Sequence, residues 1–189
     1  MPTQLERRTA TTTALLDATE AVLHERGYAA TTTAAVCERA GVSQGGLFRH
    51  FPTRRALLVA AAVRVAERQT HDVPAGLDLL EGLRHLRAAV RSPANVVWHE
   101  LVHAARTDEE LRRDLAPALR TYHRRTRAAV ASLRPAGHPW TETHQTALRI
   151  VVTYLDGEAA VAHVLPDPDR DEATLRALAD LVRPLLEQP

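Results

Sequence analysis

Two stretches of this 189-residue chain carry side chains whose types and spacing could do chemistry. The first is His99-Glu100-Leu101-Val102-His103. On a helix its two imidazoles lie four residues apart on one face, as metal ligation needs, and Glu100 could act as general base: the zinc-protease signature HExxH. The alternative function is thus a zinc-dependent enzyme or a metal-responsive protein using His99, Glu100 and His103. Against it, no third ligand follows at a usual spacing, and His123 is the only plausible donor in the next helix. Ten His residues also make an i, i+4 pair unsurprising. The expectation is a protein that is not an enzyme, with no catalytic residue, cofactor or metal site.

The second stretch is Ser43-Gln44-Gly45-Gly46-Leu47-Phe48-Arg49-His50-Phe51-Pro52-Thr53-Arg54-Arg55. It concentrates Arg49, His50, Arg54 and Arg55, and no acidic residue occurs between Ser43 and Val65. Formal net charge is only +1, so contact with a polyanion must come from a local patch such as this one. Two arginines opening a helix oppose its dipole, at roughly 0.3–1 kcal/mol each, and bound phosphate would offset that.

The elements positioning these residues are helices. Just before the basic stretch, a short helix at about 33–40 ends at Gly41, which suits the left-handed conformation. Ser43 can cap a second short helix at about 44–50. Val36, Ala40, Val42 and Leu47 supply the apolar knot between the two, leaving Gln44, Gly45, Phe48, Arg49 and His50 on the exposed face or ends. Gly45 and Gly46 each cost about 1 kcal/mol relative to Ala in so short a helix, a cost that close approach to a DNA backbone would explain.

Apolar residues recur at helical spacing through most of the remaining chain. Leu15, Thr19, Val22 and Leu23 form one stripe, with Gly27 as a stop signal. Leu57, Leu58, Ala61, Ala62 and Val65 form another, which Thr53 could cap. Thr107-Asp108-Glu109-Glu110 reads as a capping box, and Pro117 should break or kink the helix that it opens. A long apolar helix is expected from about Thr141 to Leu165, and a last one at about 171–187. Asp156-Gly157 falls inside a 3.6-residue pattern, so a helix is preferred there over a hairpin. The fold class is all-α, with about nine helices.

With an apolar fraction of 45%, the chain can bury a substantial core. The lone Cys37 excludes an internal disulfide and reads as a small buried residue rather than a redox sensor. No signal-peptide core and no run of roughly 20 apolar residues is present, so a cytoplasmic protein with no membrane partner is expected.

Gly27-Tyr28, Thr31-Thr32, Ala40-Gly41-Val42-Ser43 and Phe48-Arg49-His50-Phe51, followed by Leu57-Leu58, agree in type and spacing with one pattern over about 50 residues. The segment resembles the helix-turn-helix of the TetR family of transcriptional regulators. The resemblance implies a three-helix DNA-binding head at residues 1–55 and a ligand-binding, dimerising helical body at 56–189, linked by a helix at about 54–70. It implies that Thr32 caps the first helix of the motif and touches phosphate. Gln44 and Gly45, with Gly46 behind them, would face base edges, and Arg49, His50 and Arg54 would contact phosphate. Three positions depart from the pattern: Phe48 stands for Tyr, Thr33 for an apolar residue, and Arg55 for a commonly acidic one. The DNA-binding set is thus Thr32, Thr33, Ser43, Gln44, Gly45, Gly46, Phe48, Arg49, His50, Arg54 and Arg55.

The implied partners are double-stranded operator DNA, a small-molecule effector and a second copy of the chain. Trp98, His99, Val102, Tyr122 and Tyr154, with Trp140, are candidates to line an effector pocket walled mainly by apolar residues, suiting an apolar ligand. Leu148, Val152, Leu155, Ala159, Leu178, Leu181 and Leu185, on the last two helices, are candidates for the dimer face. The expected mode of action is repression of a pseudo-palindromic operator, relieved when effector binds.

Overall fold

The computed structural model describes residues 3–69, 74, 76–131, 141–162 and 164–186, the side chains of 69 and 126–131 excepted. Among the described residues there are nine α-helices and no strand: α1 (Gln4–Ala30), α2 (Thr33–Ala40), α3 (Gln44–His50), α4 (Arg54–Gln69), α5 (Leu79–Val90), α6 (Pro93–Ala104), α7 (Glu109–Ala131), α8 (Glu142–Ala162) and α9 (Pro168–Leu186). The all-helical fold class is as expected.

Most helix starts are written locally. Thr3 and Glu6 cap each other's backbone N–H at α1, and Asp78 and Glu81 do the same at α5. Thr53 accepts from Ala56 N at 3.0 Å. Asp167 accepts from Arg170 N at 3.1 Å, with Pro168 as the first helical residue of α9. Asp156 and Gly157 lie inside α8.

Gly27 interrupts the helical conformation with φ 74°, ψ 178°, as its reading as a stop signal expects, and a further short turn of α1 follows to Ala30. Two local expectations are corrected. The cap of α7 is Asp108, not Thr107. Its Oδ1 accepts from Leu111 N at 2.9 Å, while the Thr107 hydroxyl turns back to the Ala104 carbonyl. Pro117 does not divide α7, which runs through it. The proline is exposed, so the carbonyl that loses its donor one turn earlier can bond water instead.

The chain forms two compact units. The first comprises residues 1–68 and 93–121, the second 69–92 and 122–189. In the first, α1 packs against both α2 and α6. Leu15, Ala18, Val36, Cys37, Leu47, Phe51 and Leu57 make one buried cluster. Arg64 of α4 reaches Asp17 and Glu20 of α1 at 2.7 and 2.6 Å, and Arg68 joins Glu20. Cys37 is buried there, and desolvation pushes its thiol above the usual range, which suits packing rather than reactivity.

In the second unit, α5, α8 and α9 pack mutually around Leu83, Val90, Val151, Leu155, Ala159, Leu175, Leu178 and Val182. Buried His144 fastens the start of α8 to the end of α9. Its Nδ1 accepts from Thr141 N at 3.1 Å, so Nε2 carries the proton and donates to the Leu186 carbonyl at 3.1 Å. Arg91 of α5 pairs with Glu158 of α8 and, at 2.6 Å, with Asp171 of α9, while Arg84 pairs with Glu172.

The Arg91 guanidinium holds the Asp171 carboxyl below its ordinary value, against desolvation. A carboxyl depressed by folding contributes stability above its unfolded pKa and loses it as pH falls through the folded pKa. Asp171→Asn is therefore expected to lower the urea midpoint at pH 7 and to reduce the loss seen below about pH 4. Urea titrations at pH 7 and pH 3 on both proteins check this.

Candidate nucleic-acid interface

The hairpin of α2 and α3 is built by three short-range devices. The Thr32 hydroxyl accepts from Ala35 N at 3.1 Å. Gly41 takes φ 64°, ψ 28°, and Val42 N returns to the Cys37 carbonyl at 3.1 Å, closing the end of α2. The Ser43 hydroxyl accepts from Gly46 N at 3.1 Å. Val36 and Leu47 are wholly buried between the helices, with Ala40 and Val42 packed against the same cluster. Anchoring α3 by Leu47 turns Gln44, Gly45, Phe48 and Arg49 outward. Phe48 is 46% exposed, unusual for so large an apolar ring. Among the described residues Arg49 makes no ion pair or hydrogen bond.

His50 is half-buried, with Nδ1 2.9 Å from the Thr12 hydroxyl. That hydroxyl donates its one proton to the Arg8 carbonyl at 3.0 Å, so it accepts from the ring. Nδ1 therefore carries a hydrogen, and a neutral ring presents Nε2 as an acceptor only. Donation from His50 to a phosphate would require the imidazolium. Thr33 is half-buried on the first turn of α2.

The two arginines at the start of α4 are engaged inside the protein. Arg54 donates through Nε to the Thr31 carbonyl at 2.7 Å and through Nη2 to the Tyr28 carbonyl at 2.5 Å. Its guanidinium also lies 4.4 Å from the centre of the Tyr28 ring. Arg55 donates to Asp114 at 2.6 Å and to Glu110, both on α7, and these carboxylates raise its pKa further. The cations that the helix dipole disfavours thus have acceptors even without a ligand.

Tyr28 is the hub of this region, and sequence reasoning did not place it in any site. Its N–H, freed from the α1 ladder by the Gly27 kink, donates to Glu100 Oε2 at 2.8 Å. Its hydroxyl donates to Asp108 Oδ2 at 3.1 Å. Asp108 is held below its ordinary pKa by the Leu111 N–H first, and then by Tyr28 and Arg55. Gly27 is required twice over: its φ is positive, and a Cβ would meet Glu100 Oε2 at 3.1 Å. The partners come from 72 and 80 residues away, with no local signal for them.

Glu100 thus accepts a backbone N–H through Oε2. The His99 and His103 rings are 5.8 Å apart, centre to centre, His99 half-buried and His103 exposed. Among the described residues no three His, Cys, Asp or Glu are grouped to hold a metal.

The residues expected to line an effector pocket are divided. Trp98, His99 and Val102 belong to the first unit, Tyr122 and Tyr154 to the second. Trp98 and Tyr122 are buried, while Tyr154 is on the outside of α8. Trp140 lies outside the described residues. Of the residues expected at a dimer face, Leu155, Ala159 and Leu178 fill the core of the second unit and Leu148 is buried as well. Val152 and Leu185 are half-buried, and Leu181 is 68% exposed. Exposed Ile150, Tyr154, Gly157 and Val161 make one stripe along α8, which sequence reasoning did not separate from the core stripe beside it.

The paired glycines of α3 differ in surroundings. A Cβ at Gly46 would meet Val42 Cγ1 at 2.9 Å, whereas nothing lies within 4 Å of one at Gly45. Gly46→Ala is expected to destabilise the protein by about 1–3 kcal/mol through overpacking. Gly45→Ala is expected to stabilise it by up to about 1 kcal/mol. Thermal unfolding of the two variants should move in opposite directions.

The model for bacterial regulatory proteins of the tetR family matches residues 15–61. An HTH-type transcriptional regulator of Mycobacterium tuberculosis is 35% identical over 188 residues, covering 95% of this chain and 96% of that protein. The HTH-type transcriptional repressor KstR of Rhodococcus jostii is 48% identical over 54 residues, 29% of this chain and 26% of its own. A TetR transcriptional regulator from Rhodococcus sp. RHA1, solved by crystallography, superposes with a TM-score of 0.60 at 25% identity, covering 97% of this chain and 99% of that one.

Proposed function

This chain belongs to the TetR family of bacterial transcriptional regulators, and from that membership we propose that it acts as a homodimeric repressor released from its operator by a small, mainly apolar effector. The observation that carries the reading is the outward face of α3, where Gln44, Gly45, Phe48 and Arg49 stand on a rigid, fully capped hairpin. Gln44 and Gly45 meet base edges in the major groove, with Gly46 behind them. Thr32, Ser43, Thr33 and Arg49 meet phosphate, and His50 joins them when protonated. Arg54 ties the start of α4 to Tyr28 and Thr31 within the head, Arg55 ties it to Glu110 and Asp114 of α7, and contact with phosphate through their remaining N–H groups is secondary.

Labour is divided between a DNA-binding head at residues 1–55 and a body at 56–189 that binds effector and partner. The two copies meet through Ile150, Tyr154, Gly157 and Val161 of α8 and Leu181 and Leu185 of α9. The first four lie four, three and four residues apart on one helical face, and Ala173 and Ala177 extend the α9 stripe at the same spacing. Exposure of such an apolar stripe on two adjacent helices, with a glycine at its centre, suits close packing against a second copy. Effector binding in the body moves α4 and changes the spacing of the two heads, which requires the effector to favour one spacing over the other. Among the described residues no helix is long and apolar enough to cross a membrane, and cytoplasmic action on DNA fits that. KstR, matched over 54 residues, is named a repressor, which favours repression over activation.

A gel-shift titration on the DNA adjoining its own gene tests the reading. Binding should be salt-sensitive and saturate at two chains per site. Absence of any salt-sensitive binding would remove the regulator reading altogether.

A further inference from the structure

Gly45 has no structural reason to be glycine. Its φ is not positive, and nothing lies within 4 Å of the place where a side chain would begin. A glycine there weakens a seven-residue helix without relieving any contact inside the protein. Three residues on, Phe48 is nearly half exposed. Positions three apart on a helix are surface neighbours, with Cβ atoms about 5–6 Å apart. The absent side chain at 45 therefore leaves open space on the helix face that also carries the exposed Phe48. Gln44 and Arg49 flank it as polar neighbours on the same exposed face.

We propose that Gly45 and Phe48 form a slot for the C5-methyl group of a thymine, and that this pair sets a sequence preference of the DNA-binding helix. The inference rests on the DNA-binding reading above and adds which base chemistry the helix selects. Phe48 has no donor to offer a phosphate, so its exposed ring gains nothing from the DNA backbone by hydrogen bonding. In the major groove the thymine methyl is the one apolar group on a base edge, and aromatic or small apolar side chains are its usual contacts. A methyl entering the slot is covered by the ring and by the backbone at Gly45, and removing the ring from water adds to the gain. Any side chain at 45 would occupy the same space.

The test uses the full chain and two steps. A duplex is first selected from a randomised library, and each thymine in it is then replaced singly by deoxyuridine, which lacks only the methyl. The expected result is one thymine per half-site at which methyl removal weakens binding about four-fold, the worth of one buried methyl. In Gly45→Ala that sensitivity disappears while the melting temperature stays equal or rises, so unfolding is not the cause. In Phe48→Ala it also disappears, and in Phe48→Tyr it persists. Three results would overturn the slot while leaving DNA binding intact: no thymine sensitive to deoxyuridine, a sensitivity unchanged in Gly45→Ala, or one unchanged in Phe48→Ala. Failure to select any duplex would overturn the DNA-binding reading, and the slot with it.

Discussion

Arg54→Ala is expected to weaken binding to every duplex and to lower the melting temperature, while leaving the salt dependence of binding unchanged. The reason is that Arg54 spends its guanidinium on the Tyr28 carbonyl in the last turn of α1, on the carbonyl of Thr31 just after it, and on the Tyr28 ring. Thr31 is buried, so its carbonyl would lose its partner away from water. Two charge-assisted bonds and a ring contact together make a loss of about 3 kcal/mol reasonable. If Arg54 served instead as a phosphate ligand, each copy would lose one contact. The slope of log affinity against log salt would then flatten by about 0.9 per contact. Arg49, exposed and without a partner among the described residues, is the control: Arg49→Ala should flatten the slope and spare the melting temperature. Arg54→Lys sharpens the distinction. A lysine keeps the charge but not the planar fork, so it should rescue a phosphate contact and fail to rescue this clamp.

An equally large effect is expected from a charge on the outer stripe of α8 and α9. Ile150→Glu and Leu181→Glu alter exposed side chains, so neither opens a cavity nor buries a charge within the protomer. Sedimentation should show a monomer where the wild type is a dimer. Operator affinity should fall by 10²-fold or more, because linking two heads multiplies affinity by roughly 10²–10⁴. Leu155→Ala provides the contrast. Leu155 is buried in the core of the second unit, so its loss should cost about 2–5 kcal/mol of stability and leave association of the folded protein nearly intact. If Leu181→Glu stays dimeric at micromolar concentration, the proposed face is not the interface.

What could be read from the sequence was what is decided within three or four residues. Ser43, Thr32 and Thr53 cap the helices expected of them, Gly41 is left-handed, and Leu47 is the buried pin of the hairpin. Even locally, competition between neighbours escaped the pattern. Asp108 outcompetes Thr107 for the cap of α7, and exposed Pro117 stays within that helix. The rest depends on partners far along the chain. Nothing near Glu100 says that its carboxylate will meet Tyr28 N, and the HExxH spacing offered metal chemistry only as the alternative. The resemblance implies phosphate contact for Arg54, and nothing near it in sequence announces its acceptors within the protein, 23 and 26 residues back. On α8 two apolar stripes run side by side, and periodicity alone cannot say which of them faces the core.

The chain passes from the first compact unit to the second and back before it completes either. Residues 1–68 are therefore not a detachable part: Glu100 and Asp108, which close the end of α1, arrive only with residues 93–121. Recombination that transplants the first 68 residues onto another regulator would bring Tyr28 to a new host without its acceptors, and Gly27 would keep its kink with nothing to receive the freed N–H. A working graft would have to carry both segments, or find a host that presents carboxylates at the same two places. The heritable piece is accordingly not the contiguous stretch that bears the motif, but that stretch together with a second one beyond α5.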